Sequence, residues 1–351
     1  MELNDSQMLL QADSTQKKTR FAGLDLLKVV SMIFIIIHHV SKHGGFYANS
    51  SGASSVVFMV LNALFMPSVN VFVFTSAFLI IRKGKIKLSH LIKLYLEVVF
   101  YSILTYLIVC LLGYRNFSFE QLLLNFFPIS YLLFWFVEAY LIMYALCPLM
   151  LKIVNGLNKK EYDLFLLIMG LLLIYASINK SFVVLSRGFS ATWFCVLFML
   201  AGYQVRFGFG LNKKWLGVVF AISTLLVFVS IYLYGLNVDY TSIFVVLQTI
   251  SIFGLLYDLN FNNRIVCKVL KYVSTCTLGV YLLHDGVYIQ ECLYSRIFRT
   301  QNYWGGLSGV LYFMLFCLII FCAGILVESL RKLVLWLWKK PAERLVVKTK
   351  A

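Results

Sequence analysis

Four residues whose types can do chemistry fall inside one apolar run near the amino terminus, residues 22–42: Asp25, Lys28, His38 and His39. Ionisable groups within a membrane span are costly, face the bundle interior and are functional candidates by default. An imidazole in such a place can take up a proton or act as a nucleophile. Lys28 and His39 are 11 residues apart, which on an ideal helix leaves them about 20° from eclipsed and roughly 16 Å apart along the axis. They share one stripe, with the cation at one edge and the imidazole towards the other. His38 stands about 80° off that stripe, which makes it the poorer partner for Lys28. Plainer readings remain open: Lys28 can snorkel to headgroups or pair with Asp25 at i,i+3, and a membrane histidine often serves a helix–helix hydrogen bond.

These residues need helices in a bilayer to hold them, and the composition supplies those. Of 351 residues, 61% are hydrophobic and 13% charged, against about 25% charged in a soluble domain. The mean hydropathy is +0.86, and 31 Phe with 21 Tyr exclude a disordered chain. At about 20 residues per crossing, roughly ten spans fit. Apolar runs predict them at about 22–42, 56–81, 91–112, 129–151, 162–178, 190–207, 215–235, 241–258, 273–290 and 306–330. The expected fold is therefore all-α, a polytopic membrane helix bundle with no internal repeat. Residues 1–19 read as a mobile polar segment, 20–330 as the membrane domain, and 331–351 as a basic amphipathic cytoplasmic tail anchored by Trp336 and Trp338. The first run is too long for a signal-peptide core and lacks a small-residue cleavage site, so it is expected to remain as the first span.

The net charge of +16 is scattered between apolar runs, not gathered on one soluble face, which excludes a nucleic-acid reading. With the amino terminus inside, 25 of the 31 basic residues fall on inner segments and six on outer ones. That asymmetry places both termini in the cytoplasm and leaves lipid headgroups as the anionic partner. Eight single cysteines with no C-x-x-C pair read as small buried hydrophobes, not a disulfide framework or zinc site.

Arg20-x4-Asp25-Leu-Leu-Lys28-x10-His39 resembles the opening of the acyltransferase-3 family, integral membrane enzymes that O-acylate sugars and other cell-surface acceptors. Three further stretches resemble the family in order. Residues 72–79, with Ser76, Ala77, Phe78 and Leu79, match an apolar Ser-Gly-Phe-Leu stretch. Trp135-Phe136, Tyr144 and Pro148 match the aromatic, tyrosine and proline spacing of a later span, and Leu278-Gly-Val-Tyr281-Leu-Leu-His284 matches a late Gly-x-Tyr-Leu-x-His motif. Lys28 replaces the commoner arginine, keeping the charge but losing bidentate anion contact. Ala77 stands where glycine is usual.

The resemblance implies a cytoplasmic acyl-coenzyme A donor, acetyl-CoA by default, and an acceptor hydroxyl on a cell-surface or lipid-linked saccharide such as an exopolysaccharide or wall polymer. It places the protein in the plasma membrane, and polysaccharide-assembly proteins join the expected partners. No metal and no permanently bound cofactor is expected. Lys28, with Arg20, Arg82 and Lys83, is expected to bind the anionic donor, and His39 to act as general base or, less favoured, as acyl carrier. Glu138 is expected to orient a histidine, bind the acceptor or serve structure. His284, which with Glu138 joins His39 among the candidate catalytic residues, lies with Asp285 near the depth of His39; Ser76, Trp135, Tyr144 and Tyr281 are supporting residues, and Asp25 is a partner for Lys28 or an inner-side arginine. The competing readings are a proton-coupled transporter or flippase, disfavoured by the lack of a two-half repeat, a polysaccharide polymerase, disfavoured by the short outer loops, and a non-enzymatic sensor.

Overall fold

The computed structural model describes residues 22–131, 133–178, 188–236 and 238–348. The expected 1–19 segment, Arg20, Lys180 and Arg187 lie outside these residues. The described chain is all-α, with no strand among the described residues. Its principal helices are α1 (Ala22–His43), α2 (Ala53–Phe65), α3 (Ser68–Lys83), α4 (Leu88–Leu111), α5 (Trp135–Gly156), α6 (Lys159–Ile178), α7 (Gly188–Arg206), α8 (Lys213–Tyr234), α9 (Ile243–Leu256), α10 (Arg264–Ser274), α11 (Thr277–His284) and α12 (Gly306–Lys348). Among the described residues, six units are long and apolar enough to cross a membrane: α1, α2 with α3, α4, α5, α8 and the first part of α12; the bent pair α10 and α11 makes up to seven. Helices α6, α7 and α9 stand where the other three spans are expected. At 14 residues α9 is short for a full crossing, reaching only about 21 Å at the helical rise per residue.

Helix α1 is central because it has no face fit for water. Its buried residues run all round, from Leu24 and Leu27 to Ile35, Ile36 and Val40, as a helix enclosed on every side requires. Helices α2, α3, α9, α10, α11 and α12 surround it. Its first turn abuts the end of α9: the Gly23 amide donates to the Leu259 carbonyl at 2.8 Å, and a Cβ on Gly23 would lie 1.9 Å from the Leu256 carbonyl oxygen. Only glycine permits that approach. On the outside, Leu96, Leu225, Leu233, Leu311, Leu318 and Leu326 point away from the bundle. An apolar belt of this extent is the lipid-facing surface of a multi-pass membrane protein.

Two breaks shape the interior. The helix is interrupted between α2 and α3 at Pro67, whose missing amide cannot continue the helical ladder. Helices α10 and α11 meet at an angle of 41°. The break frees backbone carbonyls, and Lys332 from α12 caps one of them, donating to the Thr275 carbonyl at 2.8 Å and its hydroxyl at 2.9 Å. The sequence places the last boundary at 330, whereas α12 runs unbroken through it and turns Arg331 and Lys332 into the bundle. These two residues act as structural cations, not as part of a free tail.

Candidate active site

At the basic end of the bundle α1, α3, α4, α5 and the α10–α11 break enclose a cavity of about 430 Å³. Lys28, Lys83 and Lys85 give it cationic character, His90 adds an imidazole, and Ser76, Tyr140, Tyr144, Ser274 and Thr277 line it with hydroxyls. A half-open cavity with several cations and many hydroxyl donors fits an anionic ligand. Asp25, buried behind it, accepts from the Ser274 hydroxyl at 2.8 Å. Tyr144 donates to the Lys87 carbonyl at 3.5 Å. Arg82 is exposed, does not line the cavity, and lies over the Phe78 ring at 5.8 Å.

Further along α1, the sequence-predicted depth match becomes a contact. His39 Nδ1 lies 3.1 Å from His284 Nε2 and 3.3 Å from Asp285 Oδ1, with all three residues buried or nearly so. Tautomers follow from the partners. His284 Nδ1 lies 2.6 Å from the Val280 carbonyl, an oxygen that can only accept, so Nδ1 carries the proton and Nε2 of the neutral ring is an acceptor. His39 Nδ1–H must then donate, to His284 and towards Asp285. That leaves His39 Nε2 with a bare lone pair. His38 faces Asn62 on α2 instead, as its phase on the helix requires.

His39 lines a second, small cavity of about 10 Å³ with Met32, Val69, Trp135 and Tyr281. Phe72, Phe136 and Leu278 are walls of both cavities. The Phe72 and Phe136 rings meet edge to face at 5.6 Å, and Phe136 meets Tyr281 in the same way at 5.4 Å. Lys28 and His39 are therefore on either side of one aromatic partition. The lone pair of His39 and the cation-lined cavity are neighbours, not separate features. Trp135 stacks on Tyr240 at 5.9 Å, 15° from parallel. With 40% of its surface exposed, it forms a flat aromatic wall at the edge of the small cavity.

Glu138 is half-buried on α5 and lines neither cavity. Reading the sequence missed several groups that do take part. Lys85, His90 and Ser274 join the cation-lined wall; for Lys85 and His90 an inner-side position near Lys83 was the available signal, and for Ser274 there was none. Glu97, also in that wall, pairs with Arg331 at 3.1 Å. Arg331 grips the fully buried Glu328 through two nitrogens at 2.7 and 2.8 Å. Tyr101 donates to the same carboxylate at 2.8 Å. Gly279 makes room for this: a Cβ there would meet the Tyr101 hydroxyl at 2.6 Å and Glu328 Oε2 at 2.7 Å.

Comparison with known proteins agrees with the architecture. The chain matches none of the curated proteins and none of the solved structures with which it was compared. One family model, described as an acyltransferase domain, matches residues 21–338. That match runs from the start of α1 into the last helix and takes in every residue of both cavities. The chain is a member of the acyltransferase-3 family, and hence a membrane acyltransferase.

Proposed function

We propose that the protein is an O-acyltransferase of the plasma membrane that moves an acyl group, acetyl by preference, from cytoplasmic acyl-coenzyme A to a hydroxyl of a cell-surface or lipid-linked saccharide. The observation that carries this reading is the uncommitted Nε2 of His39 beside a cavity lined by Lys28, Lys83, Lys85 and His90. The polyanionic end of the donor suits the three lysines. Its thin, mostly uncharged arm suits the passage along α1 towards His39.

In the reaction His39 Nε2 takes the proton of the acceptor hydroxyl as its oxygen attacks the thioester carbonyl. The C–S bond breaks, and the leaving thiolate recovers the proton from Nε2–H. Asp285 and His284 hold Nδ1–H, fixing the ring and stabilising the imidazolium formed in passing. The small cavity has room for about one water molecule, so the thioester reaches His39 only when Phe72 and Phe136 part. Trp135, stacked on Tyr240, offers a sugar ring a flat apolar face.

The test is transfer of label from acyl-labelled acetyl-CoA into membrane and polysaccharide fractions by wild-type, Lys28→Ala and His39→Ala proteins at matched membrane levels. Labelled saccharide from the wild-type alone supports the reading. Equal labelling by all three proteins overturns it.

A further inference from the structure

The outer side of the His39 ring carries a second arrangement, in which His39 and Asp285 of the transfer site meet His43, a residue the transfer reaction does not use. His39 and His43 are four residues apart on α1 and project from one face, the spacing at which a helix offers two imidazoles to one metal ion. Asp285 faces both from the end of α11, with Oδ1 at 3.3 Å from His39 Nδ1 and 4.0 Å from His43 Nε2. One ligand atom from each of the three residues lies within 4.8 Å of the others. Small ring movements bring such a set to the roughly 2 Å bonds of a tetrahedral zinc site.

Three further observations point to a ligand. The hydroxyl of Tyr294 is buried without a hydrogen-bond partner among the described residues and has Asp285 as an electrostatic neighbour. Tyr294 also stacks on His43 at 6.3 Å, 28° from parallel, which fixes that ring. His43 is about one-third exposed whereas Asp285 is 7% exposed, so an ion has a path in from the outer face. Two imidazoles and one carboxylate with a fourth position open to water is a donor set for zinc or a similar divalent transition metal.

We propose that His39, His43 and Asp285 form a binding site for a divalent transition-metal ion, with zinc the best match, and that the bound ion switches the transferase off. The ion takes the Nδ1 lone pair of His39, and the proton that Nδ1 carried moves to Nε2. The ring stays neutral and no proton is lost, but the lone pair that takes the acceptor's proton is gone. This second half rests on His39 acting as the base; the metal site itself does not.

Cobalt(II) serves as the spectroscopic probe, added to the full chain purified in detergent with a tag free of histidine. The wild-type is expected to bind one equivalent and to show the visible bands of tetrahedral cobalt. His43→Ala and Asp285→Asn are expected to bind cobalt and zinc about 100-fold more weakly or worse. Zinc is expected to abolish label transfer by the wild-type reversibly, with a chelator restoring it, and to leave transfer by His43→Ala unaffected. A wild-type without tetrahedral cobalt bands, or a His43→Ala protein that binds as tightly as wild-type, overturns the site whether or not transfer is detected. Tight cobalt binding by the wild-type with zinc-insensitive transfer overturns the switch.

Discussion

The two ends of α1 solve different problems with the same kind of material. At the Lys28 end the walls stand apart, enclosing about 430 Å³, and cations reach in from α1, from α3 and from the loop that follows it. At the His39 end the walls close to about 10 Å³ and each ring nitrogen of the histidine pair except one has a partner. A long charged side chain in a roomy cavity holds a ligand through field and approximate position, and it tolerates substitution by another cation. An imidazole in a tight cavity, its tautomer fixed by a carbonyl two contacts away, tolerates none. Binding belongs to the first end and chemistry to the second.

The sharpest way to break this division is His39→Ala, for which transfer is expected to fall by about 10²- to 10⁴-fold, the usual worth of a general base. Label transfer at matched membrane levels checks it, and a loss below tenfold would move the chemistry elsewhere. Next in size is Glu328→Ala, which leaves Arg331 and Tyr101 without their shared partner. Removing one member of a buried ion pair costs about 3–5 kcal/mol, to be seen as a lower melting temperature in detergent. An unchanged melting temperature would show that the wall holding Glu97 does not depend on the network. Lys28→Ala should raise the KM for the acyl donor about 10- to 100-fold with little change in kcat, as expected for one lost charged contact, and Lys28→Arg should retain most of the affinity. The smallest effect is expected at Trp135→Ala. Losing one aromatic face should raise the acceptor KM by a few-fold, about 0.5–1.5 kcal/mol, and leave the donor KM alone.

Much of the His39 end was legible in the sequence because position around a single helix is arithmetic. The 11-residue interval put Lys28 and His39 on one stripe and His38 off it, and all three positions agree with the structure. The late His284 was legible in depth but not in contact, since apolar helices of one composition do not reveal which neighbour they choose. Glu97, Glu328 and Arg331 were hidden for the same reason: they come from opposite ends of the chain, and Arg331 was grouped with the tail by its neighbours' charges. The ninth expected span, 273–290, also differs. The helix that leads into it, Arg264–Ser274, carries Arg264, Lys268 and Lys271 among exposed Ile265, Val266 and Val269, so its charge reads as a loop although it is helical. The bend after it lacks proline and glycine, and Lys332, 57 residues later, donates to the freed carbonyl.

The division between binding and chemistry is tested most directly by equilibrium binding of labelled acetyl-CoA to purified wild-type, His39→Gln and Lys28→Ala proteins. His39→Gln is expected to bind within about twofold of wild-type, and Lys28→Ala at least about tenfold more weakly. If His39→Gln loses donor affinity as Lys28→Ala does, or if Lys28→Ala binds as wild-type, the two ends of α1 do not divide the work in this way.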